Sequence, residues 1–141
     1  MDRHDVDRWL DAYVMAWKRY DPEEIAALFS DDVTYRYHPY DEPMRGRDAV
    51  VKSWLGEDES DRASDRDAEG TYDATYRTFA VDGDAAVATG HSVYRGAPGG
   101  PVERTFDNCF VMRFDETGPG LGGAQKLQCR EFTEWFMQRP S

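Results

Sequence analysis

Glu134 has the residue type and the surroundings needed for proton transfer. Side chains of a strand alternate between its two faces, so Glu134 shares its face with Phe132 and Phe136. A carboxylate on a buried aromatic face needs a charged partner or a raised pKa. Arg130 lies on the same face by the same alternation and is one candidate partner. The sequence therefore leaves three states open for Glu134: an ion pair with Arg130, a protonated acid, or a base beside a water molecule.

Three other polar residues could take part in binding or acid–base chemistry. His38 follows the first predicted strand, and histidine is a residue type suited to a general base, although His38 can equally be an ordinary loop histidine. Tyr13 lies on the apolar face of a predicted helix and is either a ligand contact or a core tyrosine. Asn108 lies inside a long strand and either contacts a ligand or satisfies a backbone group.

The motifs of several other site types are missing from the sequence. There is no Ser-His-Asp order, no phosphate-binding loop and no cluster with metal-ligand spacing. Cys109 and Cys129 lie in apolar runs without a CxxC spacing, which is typical of buried thiols. We therefore expect neither a metal nor a cofactor.

Length and charge restrict the class of protein. The 141 residues suit one domain, 1–141, and the net charge of −11 opposes binding to nucleic acid or to an anionic membrane surface. No run approaches the roughly 20 apolar residues of a membrane span, and the first residues lack the apolar core of a secretory signal. A cytoplasmic location is the resulting expectation. The acidity could reflect adaptation to a salt-rich cytoplasm or, equally, a GC-rich genome.

The first half of the chain is predicted to be mainly helical. Apolar residues recur at helical spacing from Val6 to Trp17, and this first helix should end near Tyr20. A second helix begins at Asp21-Pro22, since Asp can cap it and Pro suits its first turn, and it should end at 30–32. A short strand over 33–37 and a third helix over 49–55 follow.

The second half is predicted to be β-structure. Alternating patterns indicate four strands, over 71–81, 85–95, 102–115 and 129–137. The acidic stretch 57–70 has no large apolar residue, which favours an exposed loop or, alternatively, a charged rim over a pocket. A glycine-rich excursion separates the last two strands. Helices gathered on one side of an antiparallel sheet are the α+β arrangement.

Three segments give this order a resemblance to the nuclear transport factor 2-like superfamily, which includes SnoaL-like polyketide cyclases and ketosteroid isomerases. They are the second helix with its flanks, over 20–33; the Met44-Arg45-Gly46-Arg47 start of the third helix; and the end of the long strand, over 111–118, with Glu134-Trp135-Phe136 after it. The family usually closes its last hairpin directly, whereas residues 119–128 look like an insertion here.

The resemblance implies a cystatin-like fold, in which a cone-shaped, strongly curved and mostly antiparallel sheet carries three helices on its concave face. A pocket then lies between the helices and the sheet, and the outer face often forms a homodimer. The resemblance places these residues at the pocket: Tyr13, Trp17, Tyr37, Asn108, Phe110, Arg130, Phe132 and Glu134, with His38 at its mouth. Glu131, Thr133 and Trp135 would face a partner subunit.

The sequence lacks two of the three residues that carry the ketosteroid isomerase mechanism. Tyr13 matches the family's helix tyrosine, but Tyr37 occupies the position of the catalytic base and Phe110 that of the strand acid. Fold resemblance alone therefore does not fix the reaction.

Three functions stay open from the sequence. The first is a cofactor-free acid–base enzyme, of isomerase, cyclase or hydrolase type, acting on a small apolar or cyclic carbonyl compound through Glu134 or His38. The second is a non-catalytic ligand-binding or dimeric regulatory module with the same pocket. The third is an association domain whose interior is filled by side chains.

Overall fold

Three helices and six strands make up the computed structural model, which describes residues 1–57, 66–117 and 127–140. The helices are α1 (Arg3–Arg19), α2 (Pro22–Ala27) and α3 (Arg47–Trp54). The strands are β1 (Phe29–Arg36), β2 (Met44–Arg45), β3 (Tyr72–Asp82), β4 (Ala85–Arg95), β5 (Val102–Glu116) and β6 (Leu127–Gln138).

The strands form one sheet in the order β2-β1-β6-β5-β4-β3. Every neighbouring pair is antiparallel except β1 with β6, which run parallel. The sheet is curved and unclosed, and the three helices pack against it. This confirms the α+β class and the mostly antiparallel curved sheet expected from the sequence.

Helix α1 fills the concave side of the sheet. Its N-cap is Asp2, whose side chain accepts a hydrogen bond from the Asp5 backbone while Asp5 returns one, so two otherwise unpaired N–H groups are satisfied. Trp9 and Tyr13 on its apolar face are buried, and Trp9 also donates from its indole N–H to the Leu28 carbonyl at 3.0 Å. Helix α1 thereby packs its aromatic side chains against the concave face of the sheet.

The first strand begins earlier than its sequence pattern predicts. Residues 30–32 were expected to end the second helix, but Phe29 already pairs with Cys129 of β6. The Cys129 N–H donates to the Leu28 carbonyl at 2.8 Å, so sheet pairing overrides the weak local signal of this short helix. β2, which pairs with β1 through Tyr35 and Met44, was not expected as a strand.

Two sequence-based expectations fall wholly or partly outside the described residues. These are the glycine-rich excursion, including the apparent insertion at 119–128, and the central part of the acidic stretch 57–70. In the described parts of the chain, no helix combines the length and the apolar character needed to cross a lipid bilayer.

Candidate functional site

A cavity of about 340 Å³ opens between the helices and the concave face of the sheet. That volume is at the lower end of the range found for small-molecule sites, roughly 300–1,000 Å³. Its walls are mostly aromatic, with two carboxylates and one guanidinium. They are formed by Tyr13, Trp17, Tyr20, Tyr35, Tyr37, Trp54, Asp67, Tyr76, Ser92, Tyr94, Arg104, Phe106, Asn108, Glu134 and Phe136.

A hydrogen-bonded row of side chains crosses three adjacent strands on the cavity wall. Ser92 on β4 donates from its hydroxyl to Asn108 Oδ1 on β5 at 3.2 Å, and Asn108 Nδ2 donates to Glu134 Oε2 on β6 at 2.7 Å. Ser92 and Asn108 are buried. Because both ends of the Asn108 amide are engaged, the amide has one orientation, and it holds one carboxyl oxygen of Glu134 in place.

The pKa of Glu134 is raised to about 7, first because burial penalises its charged form, while the Asn108 hydrogen bond opposes that effect. Glu134 keeps some accessible surface, but that surface faces the cavity. None of the described residues makes a salt bridge with it. Both the acid and its carboxylate are therefore populated near neutral pH, which is the condition for giving and taking protons.

Two buried tyrosines line the cavity beside α1 and β1. Burial raises the pKa of Tyr13 and of Tyr35 well above the ordinary value. The neighbouring Tyr35 raises the pKa of Tyr13 further, whereas Tyr13 lowers that of Tyr35. The Trp54 indole N–H, which has no partner of full hydrogen-bond geometry among the described residues, also lowers the pKa of Tyr35. Both tyrosines therefore stay protonated at neutral pH, and both line the cavity.

A second polar group lies in the cavity wall around Asp67. Asp67 Oδ2 accepts from the Trp17 indole at 3.0 Å and from the Tyr20 hydroxyl at 3.4 Å. Burial raises the pKa of Asp67, and these two hydrogen bonds oppose the rise. Of the two readings of the acidic stretch, a charged rim over the pocket therefore describes Asp67 better than a solvated loop does.

The expected ligand-binding residues fall into two layers. Tyr13, Trp17, Tyr37 and Asn108 line the cavity, and the Tyr37 hydroxyl lies 2.9 Å from the hydroxyl of Ser53. Phe110 and Phe132 are not among the lining residues but form the core directly beneath them.

That core layer is closely packed. Phe132 stacks on Tyr35 with ring centroids 4.7 Å apart, and Phe110 contacts Tyr13 at 5.4 Å. Both phenylalanines are 1% exposed, so the expectation that they contact a ligand directly is wrong.

Arg130 was expected to face the pocket, and this expectation is also wrong. The pairing of β5 with β6 shifts between Arg113 and Phe114, which leaves Arg130 as an extra residue on β6 and reverses the alternation before it. Its guanidinium instead donates to the Phe114 carbonyl at 2.9 Å and pairs with Asp84 and Asp115. The ion pair between Arg130 and Glu134 does not form.

His38 lies outside the cavity wall, at its edge. Its ring contacts that of the lining residue Phe136, with centroids 5.2 Å apart, and stacks on exposed Tyr40 at 5.0 Å. Its Nδ1 lies 3.0 Å from Asp41 Oδ2. This placement fits a residue at the pocket mouth, and its role as a base stays a prediction.

Sequence reasoning missed several lining residues. Tyr35, Tyr76, Asp67 and Arg104 come from four separate segments, and no local spacing connects these segments. Alternation along β4 predicts that Ser92 and Tyr94 share one face, and both line the cavity. The sequence does not indicate that Asp67, which lies inside an acidic run, accepts a hydrogen bond from Trp17.

The family and the fold of the chain are clear from comparisons with known proteins. The model of the SnoaL-like domain family matches residues 6–118. Among solved structures, a candidate scytalone dehydratase from Novosphingobium aromaticivorans is 17% identical to this chain and superposes on it with a TM-score of 0.66. The superposition covers 98% of this chain and 86% of the dehydratase chain. A candidate ketosteroid isomerase from Kribbella flavida is 16% identical, with coverages of 99% and 83% and a TM-score of 0.61.

A conserved protein from Planctomyces limnophilus is 15% identical, with coverages of 95% and 94% and a TM-score of 0.61. Among curated protein sequences, none is significantly similar. At such low identities the structural neighbours establish a shared fold and leave the reaction to be argued from the site.

Proposed function

The chain belongs to the SnoaL-like domain family, and from this premise we propose that its pocket performs acid–base chemistry on a small apolar or cyclic carbonyl compound. The observation that carries the proposal is the Glu134 carboxyl, which lies in the cavity, is held by Asn108 at 2.7 Å, and has a pKa of about 7. Isomerisation, cyclisation and hydrolysis can each use such a group to move a proton.

In the proposed reaction, ionised Glu134 removes a proton from the carbon next to the ligand carbonyl. The electron pair of that C–H bond forms a carbon–carbon double bond, and the π pair of the carbonyl moves to its oxygen, which gives an enolate. Tyr35, which lines the cavity and whose raised pKa keeps it protonated, donates a hydrogen bond to this oxygen. Protonated Glu134 then returns the proton to the ligand, which restores the carboxylate.

Hydrogen–deuterium exchange tests the first step without knowledge of the natural substrate. We expect the protein to accelerate exchange at the α-carbon of 2-tetralone in deuterated buffer, measured by proton NMR. Since the carboxylate is the active form, the rate should rise with pH and level off above about 7. Glu134→Gln should lower the rate by about 100-fold or more, the usual contribution of a positioned base.

Glu131→Gln is the matched control, because Glu131 lies on the same strand but is exposed and pairs with Arg113 at 3.3 Å. It should exchange like the unchanged protein. If the protein binds 2-tetralone but exchanges no faster than buffer, the non-catalytic ligand-binding function is the better description. The filled-interior association domain is disfavoured by the cavity itself.

We also propose that the chain forms a homodimer through the outer face of the sheet. Val111 and Trp135 are 41% and 44% exposed there, and Met137 is 76% exposed. They lie on adjacent strands, since Trp135 pairs with Cys109 and Val111 with Thr133. A contiguous apolar patch of this kind usually marks an interface.

A further inference from the structure

Arg104 is the one cation among the described residues that line the cavity. It lies on β5 directly across from Tyr94 of β4, on the same face as Phe106 and Asn108. Its position at the exposed end of that face puts its charge at the entrance and leaves Glu134 and Asn108 deeper in the pocket.

The guanidinium is held by aromatic rings rather than by a carboxylate. Its carbon Cζ lies 5.0 Å from the centroid of the Tyr94 ring and 5.9 Å from that of Phe106. Stacking of this kind fixes the plane of a guanidinium while leaving its N–H groups free to donate.

No acidic group in residues 1–57, 66–117 or 127–140 forms a salt bridge with Arg104. Asp67 is near enough for the Arg104 charge to oppose the burial that raises its pKa, but the Asp67 carboxylate is engaged by Trp17 and Tyr20. Because Arg104 also lines the cavity, its guanidinium is placed to bind the anion of a ligand there.

We propose that Arg104 binds the carboxylate of a ligand whose uncharged ring enters the cavity toward Glu134. Arg104 thereby determines specificity: the site takes small cyclic carboxylates in preference to their neutral analogues. A planar guanidinium can donate two parallel hydrogen bonds to a carboxylate, which gives orientation as well as affinity. This inference rests on the proposed function and specifies the class of compound for that same site.

The dimensions of the site agree with such a ligand. Arg104 and Asn108 are four residues apart on β5, or about 13 Å between their Cα atoms. Both residues line the cavity, and a separation of that order suits a carboxylate carried on one or two fused rings. The aromatic walls contributed by Tyr76 and Phe106 would lie against the faces of those rings.

The net charge of −11 does not prevent an anionic ligand from binding. At physiological ionic strength, charges more than about 8 Å away are largely screened, whereas Arg104 would touch the carboxylate. Glu134 is partly protonated near neutral pH, which further weakens repulsion inside the cavity.

The test compares 2-naphthoate with its neutral analogue 2-naphthamide by isothermal titration calorimetry. We expect the protein to bind the carboxylate about tenfold more tightly, the effect of one charge-assisted hydrogen-bonded pair. Arg104→Gln should remove this preference and leave the Kd of the amide within about twofold, which also shows that the variant is folded. Arg95→Gln removes the same charge near the same end of the sheet, outside the cavity lining, and should keep the preference.

The outcomes separate the two proposals. If Arg104→Gln still prefers the carboxylate, Arg104 does not determine specificity. If the unchanged protein binds the amide as tightly as the carboxylate, the anionic class of ligand is wrong while the pocket proposal survives. If neither probe binds at millimolar concentration, both proposals fail. Loss of deuterium exchange in Glu134→Gln, in contrast, reports on the catalytic proposal alone.

Discussion

At the scale of single residues, the buried carboxyl of Glu134 should make the stability of the protein depend on pH. Its pKa is about 7 in the folded chain against an ordinary 4.5. Between these two values the unfolded chain loses the proton while the folded chain keeps it, so stability falls as pH rises through this window. The loss attributable to Glu134 is about 3 kcal/mol, at 1.36 kcal/mol for each pH unit.

Glu134→Gln isolates this effect, because Gln has the shape of the protonated acid but cannot ionise. Urea unfolding at pH 4 should give nearly equal stability for the two proteins. At pH 8 Glu134 of the unchanged protein is charged in the folded and in the unfolded state, and only the folded state buries that charge. The variant should therefore be more stable by about 3 kcal/mol at this pH. A constant difference between pH 4 and pH 8 would show that the carboxyl is not buried as the structure places it.

The hydrogen bond from Asn108 should also be measurable at Glu134. It opposes the effect of burial, so Asn108→Leu should raise the pKa of Glu134 above 7. Carbon-13 NMR of the labelled Glu carboxyl measures this directly. Ser92→Ala serves as the comparison, because Ser92 contacts Asn108 and not Glu134, and it should change this pKa much less.

Individual site residues were predictable where alternation was unbroken. Asn108 and Glu134 share the inner face because β5 and β6 keep their register from Phe106 to Arg113. Arg130 was misplaced because one extra residue on β6 reverses the alternation, and a bulge leaves no local trace in this sequence. Asp67 reaches the cavity through contacts between distant segments, which residue spacing cannot reveal, whereas Arg104 follows the alternation of Asn108 and was overlooked.

At the scale of elements, α1 should stabilise the fold through its inner face alone. Leu10 is 1% exposed, and Leu10→Ala should cost about 2–5 kcal/mol as a large-to-small core substitution. Asp11 is its neighbour on the outer face, where it makes an exposed ion pair with Arg77 at 3.2 Å. Asp11→Ala should cost at most about 0.5 kcal/mol. Equal losses in urea unfolding would contradict the packing of this helix.

Elements were predictable to different degrees for physical reasons. The apolar spacing of α1, and the alternation of β3 to β5, are strong local patterns that the fold retains. The start of β1 at Phe29 depends instead on pairing with β6, about 100 residues away in the chain, and such pairing outweighs weak local preference. Local pattern therefore predicts long elements well and short ones poorly.

At the scale of the whole molecule, the order of helices before strands and the three family segments were enough to predict the curved sheet and its helices. The cavity could not be predicted from the sequence in the same way. Its size depends on whether Trp9, Phe110 and Phe132 fill the space under the helices completely, and that balance follows from packing rather than from sequence pattern.

The outer face of the sheet gives the last prediction, which concerns assembly. Sedimentation equilibrium at micromolar concentration should give about twice the chain mass of 16.2 kDa. Trp135→Glu places a charge in the centre of the apolar patch, so desolvation of that charge would oppose association and the protein should sediment as a monomer. The variant should keep its fold, because Trp135 is exposed and lies outside the core.

Phe79→Glu is the control, since Phe79 is also an exposed aromatic, at 68%, but lies on the edge strand β3 away from the patch. It should leave the dimer intact. If the unchanged protein sediments as a monomer, or if both variants dissociate equally, the outer face of the sheet is not the interface. Because Trp135 faces away from the cavity, the monomeric variant should still bind 2-naphthoate, which separates assembly from the chemistry at Glu134.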